Sequence, residues 1–193
     1  NSIFDKVIDN SLSEIVNEFK CEKKINYKKL IENTINIYDK YNYIIKECFD
    51  GNNIYQITLS QQLNRYFDTI IKDEAIYSYL VLFINDTILN EKLNEEVLND
   101  KIYKSIILFK FINSKDMFIE KYQYYLSSRL LSSNSQDIDM EKYIISQIKM
   151  ECGYSFVSKI ELMLKDYMLF SENKRKFNEY IDNNKIDLSH NFS

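Results

Sequence analysis

Proline is absent from these 193 residues, and glycine occurs only at Gly51 and Gly153. A sheet protein of this length needs many turn residues, so an all-β fold is excluded. A dinucleotide-binding fingerprint and a P-loop both need clustered glycines, and neither can be built here. Histidine occurs once, at His190, in a polar tail where it reads as a surface residue. Three cysteines, Cys21, Cys48 and Cys152, lie far apart and form no C-x-x-C pair. That count and spacing argue against a disulfide framework and a zinc site, and fit a reducing compartment, cytoplasm or nucleus. No apolar run approaches the ~18 residues of a membrane span, and no secretory signal leads the chain. The chain opens on Asn1 rather than Met and reads as a piece of a longer protein.

What is present is a globular mixture, 45% hydrophobic and 28% charged, which is enough apolar material for a real core. The net charge of −4 argues against a dedicated nucleic-acid binder, whose phosphate contacts need a basic surface. Arginine occurs only as Arg65, Arg129 and Arg175, and lysine supplies the other basic residues. With abundant Ile, Asn and Tyr, this bias resembles codon drift in an A+T-rich genome and says little about function.

Apolar residues recur with a helical period almost throughout. A first helix is predicted from Ile3 to Phe19, with Ile3, Val7, Leu12, Ile15 and Phe19 on one stripe. Lys20 to Lys24 reads as a solvated connection. Asn26 is a candidate N-cap for a second helix bearing Leu30, Ile31, Ile35, Tyr38, Tyr41, Ile45 and Cys48, closed at Gly51. A third carries Ile54, Ile57, Leu63, Phe67 and Ile70. Asp73 is the expected cap of a fourth, with Tyr77, Leu80, Val81, Ile84 and Ile88. Asn94 is the expected cap of a fifth, with Val97, Leu98, Ile102, Ile106 and Phe109. A sixth is marked by the i,i+4 series Phe118, Tyr122, Leu126 and Leu130, and its pattern allows it to run on from the fifth. Ser132 to Asp137 reads as a loop. A seventh helix, starting at Asp137 or Asp139 and bearing Ile144, Ile145 and Ile148, ends at Gly153. An eighth carries Phe156, Ile160, Met163, Leu164 and Tyr167. Ser171 is the expected cap of a ninth, with Phe177, Tyr180 and Ile181.

Catalytic constellations are not visible in this pattern. Cys152 could serve as a nucleophile only if activated by a neighbouring cation or a helix start; at the end of an apolar stripe it reads instead as a small buried residue beside Gly153. Glu95–Glu96 and the pair Asp137 and Asp139 read as helix-start charges that the macrodipole favours. The tyrosines sit at helical spacing and read as core and rim rather than as a platform for stacking bases. Asp116 and Arg129 are the charges nearest an apolar seam, where they are expected to fix helix geometry. No catalytic, cofactor-binding or metal-ligating residue is assigned, and no cofactor is expected.

From Ser114 the chain reads Lys115-Asp116-Met117-Phe118, then Tyr122, then Leu126-Ser127-Ser128-Arg129-Leu130-Leu131. Glu141, Ile145, Ile148-Lys149 and Glu151-Cys152-Gly153-Tyr154 follow, then Phe156, Ser158-Lys159-Ile160-Glu161, Met163 and Asp166. This stretch closely resembles the cullin family, whose pattern is K-D-x-F-x-x-x-Y, L-A-x-R-L-L, E-x-x-M-[IL]-x-x-L-K-x-E-C-G and F-T-S-K-L-E-x-M-x-x-D. The spacing agrees without a gap from Lys115 to Asp166. Upstream, Asp39-Lys40-Tyr41, Phe49, Leu82 to Asp86 and Ile107 to Ile112 resemble the stretch that precedes this signature. Val157 stands where the pattern has Thr, which would remove a capping hydroxyl.

The resemblance implies an all-α, elongated helical scaffold: a five-helix cullin repeat over residues 1–112, the last of its kind, and the beginning of a four-helix bundle over 113–193. It implies a scaffold of a RING-type ubiquitin ligase that binds a RING protein and substrate-receptor adaptors outside this segment, with no nucleic acid and no membrane involved. Its signature residues here are Asp116, Phe118, Tyr122, Leu126, Arg129, Leu130, Lys149, Cys152, Gly153, Ser158, Lys159 and Met163. Phe118, Tyr122, Leu126, Leu130, Cys152, Gly153 and Met163 are the expected core of the junction and bundle. The cullin-like subunit of the anaphase-promoting complex and a generic helical adaptor are the competing assignments.

Overall fold

The side-chain pattern resolves into helices alone. The structure, a computed structural model, describes residues 2–21, 26–71, 76–90, 94–132 and 138–184. Among them are eight helices and no strand: α1 (Ser2–Cys21), α2 (Tyr27–Cys48), α3 (Asn53–Ile71), α4 (Ile76–Ile88), α5 (Glu95–Phe109), α6 (Lys115–Leu131), α7 (Ile138–Cys152) and α8 (Tyr154–Asn184). The expected cap at Asp73, most of the Lys20–Lys24 connection, Asp137 and His190 lie outside the described residues.

Two compact units result, Asn1–Tyr125 and Leu126–Ser193, with the division falling inside α6. In the first unit α1 packs on α2 and α3, α2 also meets α3, α4 and α5, and α4 packs on α5. Asn26 caps α2 by accepting the Lys29 amide at 3.2 Å, and Asn94 caps α5 by accepting the Val97 amide at 2.8 Å. After α2 the backbone reverses through Asp50 and Gly51, both at positive φ (50° and 68°), and the Gly51 amide reaches back to the Ile45 carbonyl. A glycine is favoured there because its missing Cβ removes the left-handed penalty.

The core of this unit differs from the predicted stripes at the starts of three helices, α1, α3 and, at exposed Val97, α5. In α1 the buried residues are Ile8, Leu12 and Ile15, whereas Ile3 and Val7 are exposed. In α3 they are Leu59, Leu63, Tyr66 and Phe67, whereas Ile54 and Ile57 are exposed. Helices α1 and α3 carry apolar residues on adjoining faces, and packing of α1 against α2 and α3 selects one of them. Cys48 is exposed as well. The buried stripes of α2, α4 and α5 follow the predicted phase through Leu30, Ile31 and Ile45, Leu80, Val81 and Ile84, and Ile102, Ile106 and Phe109.

Helices α5 and α6 do not fuse. The amides of Lys110, Phe111 and Ile112 bond to carbonyls three residues back, which tightens the end of α5 into a turn. Helix α6 then restarts, with the Phe118 amide on the Ser114 carbonyl at 3.1 Å. In the second unit α7 packs on α8. The predicted eighth and ninth helices are one: Ser171 lies inside α8, and no glycine or proline between Tyr154 and Asn184 interrupts it.

Candidate functional site

The signature residues begin at the start of α6. Asp116 lies exposed in its first turn, where a carboxylate complements the helix dipole. Phe118 and Tyr122 are fully buried, with near-parallel rings whose centroids are 6.2 Å apart. Phe118 also meets Phe109, centroid to centroid at 4.5 Å, and so joins α6 to α5 within the first unit. Leu126 and Leu130, in the second unit, are buried too. The i,i+4 series therefore marks an inward face along all of α6.

Arg129 lies on that face, only 2% exposed. Its Nε donates to Oε1 of Glu141 at 2.7 Å, and Glu141 is 1% exposed. A charge that deep needs a partner, because burying it alone costs far more than burying the pair. The pair ties the end of α6 to the first turn of α7 across the intervening segment. Asp116 takes no part in it.

Further on, the signature residues sit nearer the surface. Lys149 is exposed; its Nζ donates to Glu161 at 2.9 Å and lies 5.0 Å from the Tyr154 ring centroid. Cys152 is half-buried and Gly153 exposed, so neither is the core residue expected. The α7 stripe ends one turn earlier, at Ile148. Gly153 serves the backbone instead: at φ +89° it ends α7, and its amide donates to the Lys149 carbonyl at 2.8 Å. A Cβ at Gly153 would meet nothing within 4 Å, so conformation rather than space favours glycine. Ser158 and Met163 are half-buried and Lys159 is exposed. Val157, not Phe156, is the buried residue at the start of α8. Because α8 begins at Tyr154, residue 157 is already inside the helix, and the exchange of Thr for Val removes no cap.

Between α7 and α8 lies an open groove of about 600 Å³. Ile145 and Leu164 line it beside the ion-paired Lys149 and Glu161, and no histidine or cysteine contributes to its wall. Among the described residues no group of three or more His, Cys, Asp or Glu could hold a metal ion, and no helix is long and apolar enough to cross a membrane.

A second polar cluster, not anticipated from the sequence, lies in the first unit. Tyr27 donates its hydroxyl to Asp86 at 2.5 Å, and the Lys28 ammonium stands 2.8 Å from the same carboxylate. Burial, and then the bond to Asp86, pushes the Tyr27 hydroxyl up to about 12. Burial alone would raise the Asp86 carboxyl, but the bonds from Lys28 and Tyr27 outweigh it and hold the group below its ordinary value. The cluster pins the start of α2 to α4. Its members lie 59 residues apart, so periodicity could not have paired them.

Comparison with known proteins bears on the family. The family model described as the cullin alpha solenoid domain matches residues 1–174. Cullin-4A of Homo sapiens is 31% identical over 188 residues, 92% of this chain and 24% of that protein. Cullin-4 of Dictyostelium discoideum is 32% identical over 152 residues, 78% of this chain and 19% of the relative. Cullin-1 of Oryza sativa subsp. japonica is 27% identical over 163 residues, 83% of this chain and 21% of the relative. The chain thus spans about a fifth to a quarter of the length of these relatives. With the family model matching residues 1–174, most of its length, the chain belongs to the cullin family.

Proposed function

We propose that this chain is a scaffold segment of a cullin–RING E3 ubiquitin ligase and is not itself an enzyme. The observation that carries this reading is the family match over residues 1–174. Residues 1–112 form a cullin repeat, and residues 113–193 open the four-helix bundle that follows it. The parent protein holds a substrate-receptor adaptor at one end and a RING protein at the other, both bound outside this segment. The signature residues serve as structure: Phe118, Tyr122, Leu126 and Leu130 as packing, Arg129 as a buried tie and Gly153 as a helix stop. The mechanism is geometric. Holding substrate and ubiquitin-loaded conjugating enzyme at a set separation raises their effective concentration, and an aligned lysine then reacts without a bimolecular search. The parent works in the cytoplasm, the nucleus or both.

Purification of the tagged parent from its own cells, followed by mass spectrometry of what accompanies it, tests this reading. A small RING protein together with a covalently attached ubiquitin-like modifier is the expected result. A set of anaphase-promoting subunits would reassign the chain to the cullin-like subunit of that complex. Recovery of neither would remove the ligase role and leave a helical adaptor.

A further inference from the structure

A lysine in the first turn of a helix is locally unfavourable, because the positive end of the macrodipole repels it. Lys115 occupies such a position in α6. Its side chain turns back to the preceding helix: Nζ donates to the Phe109 carbonyl at 2.8 Å and to the Lys110 carbonyl at 3.0 Å. The end of α5 presents the negative end of its dipole, and the Phe109 carbonyl, which also accepts the Ile112 amide at 3.1 Å, has a second lone pair for the ammonium. The same ammonium lies 4.3 Å from the Phe109 ring centroid. The end of α5 thus offers this ammonium favourable contacts.

The clamp acts together with other contacts of the surrounding turn. The amides of Lys110, Phe111 and Ile112 are used on tight contacts three residues back. Asn113 fastens the turn to α3 through a 2.6 Å bond from Nδ2 to Asp68. Ile112 and Phe118 are buried on either side. We propose that Lys115 is a charge-dependent clamp that holds the α5–α6 turn closed and thereby fixes the direction in which α6 leaves α5. This inference is independent of the ligase reading. A change that neutralises the ammonium should loosen this turn without unfolding the helices around it.

Amide hydrogen exchange on the intact chain and three variants tests the clamp. In Lys115→Met the amides of Phe111, Ile112 and Phe118 should exchange about tenfold faster, while those of Leu59 and Leu63 in α3 keep their wild-type rates. Lys115→Arg, which retains the charge, should keep the turn amides within about threefold of wild type. Asn113→Ala, which cuts the fastening to α3 but spares the clamp, should speed these amides less than Lys115→Met does. Unchanged turn amides in Lys115→Met would overturn the proposal. So would an equal acceleration in α3, which would mean general destabilisation, or a Lys115→Arg variant as fast as Lys115→Met, which would mean that charge is irrelevant.

Discussion

Removing one member of the Arg129–Glu141 pair should cost more than any surface substitution in the second unit. The two side chains are 2% and 1% exposed, and their bond is 2.7 Å long. Water screens such a pair poorly, so the partner left behind becomes an uncompensated buried charge. Breaking a buried pair in this way costs ~3–5 kcal/mol. With an m-value of ~2 kcal/mol/M for a small helical unit, that corresponds to a fall of about 2 M in the urea midpoint. Arg129→Met and Glu141→Leu are the two perturbations, made singly and together. Urea unfolding should be followed by amide exchange at Ile144, Ile145 and Ile148, which report the buried face of α7. Each single variant should show the full loss. The double variant, with both charges gone and apolar volume in their place, should return to within ~1 kcal/mol of wild type or exceed it. If each single change costs under ~1 kcal/mol, or if the double equals the sum of the singles, the pair is not the tie inferred from the geometry.

Three further outcomes are expected. Leu126→Asp places an unpaired carboxylate at a fully buried position and should cost several kcal/mol, on the order of ~3, so that native-like thermal melting would show the assigned face to be wrong. Asn94→Ala removes the oxygen that accepts the Val97 amide and should cost ~1 kcal/mol, measured by chemical denaturation, with faster exchange at the start of α5. Burial pushes the Tyr66 hydroxyl from its ordinary 10.0 up to about 12, against the small opposing effect of its bond to Thr34. The folded chain therefore favours the neutral phenol. That stability is fully present below the unfolded value of 10.0 and is lost as pH rises through about 12. Tyr66→Phe should lessen the alkaline fall in stability over this window, and an identical slope in the variant would contradict the assignment.

How much of this was legible in the sequence follows from what a helical period can carry. Periodicity identifies a face only where a single face is apolar. In α2, α4 and α5 one stripe is apolar, and its phase is right except at the exposed ends Cys48 and Val97. In α1 the series Ile3–Val7 and the series Phe4–Ile8–Leu12 are both spaced by four, one position apart. The second wins because Phe4 packs edgewise on Tyr41 of α2, on Phe49 just after it and on Tyr55 of α3. Helix breaks depend on local chemistry and were readable where glycine or asparagine supplied it, at Asn26, Gly51, Asn94 and Gly153. The turn between α5 and α6 contains neither glycine nor proline. There α5 ends in tight amide-to-carbonyl bonds three residues back, with Asn113 tied to Asp68 and Lys115 reaching backward to the Phe109 and Lys110 carbonyls, and residue identity alone does not reveal where a side chain points.

The polar sites show the same limit from the other side. Arg129, flanked by Leu126 and Leu130, is visibly a charge on an apolar face, and the sequence therefore announces that a partner is needed. It cannot name Glu141, because that choice depends on how the start of α7 returns to α6. The two residues are twelve apart in sequence, and only the fold shows that they meet. In this chain the run from Lys115 to Asp166 spans the turn that Lys115 contacts, the buried Arg129–Glu141 pair and the left-handed stop at Gly153, three features that sequence spacing alone does not reveal.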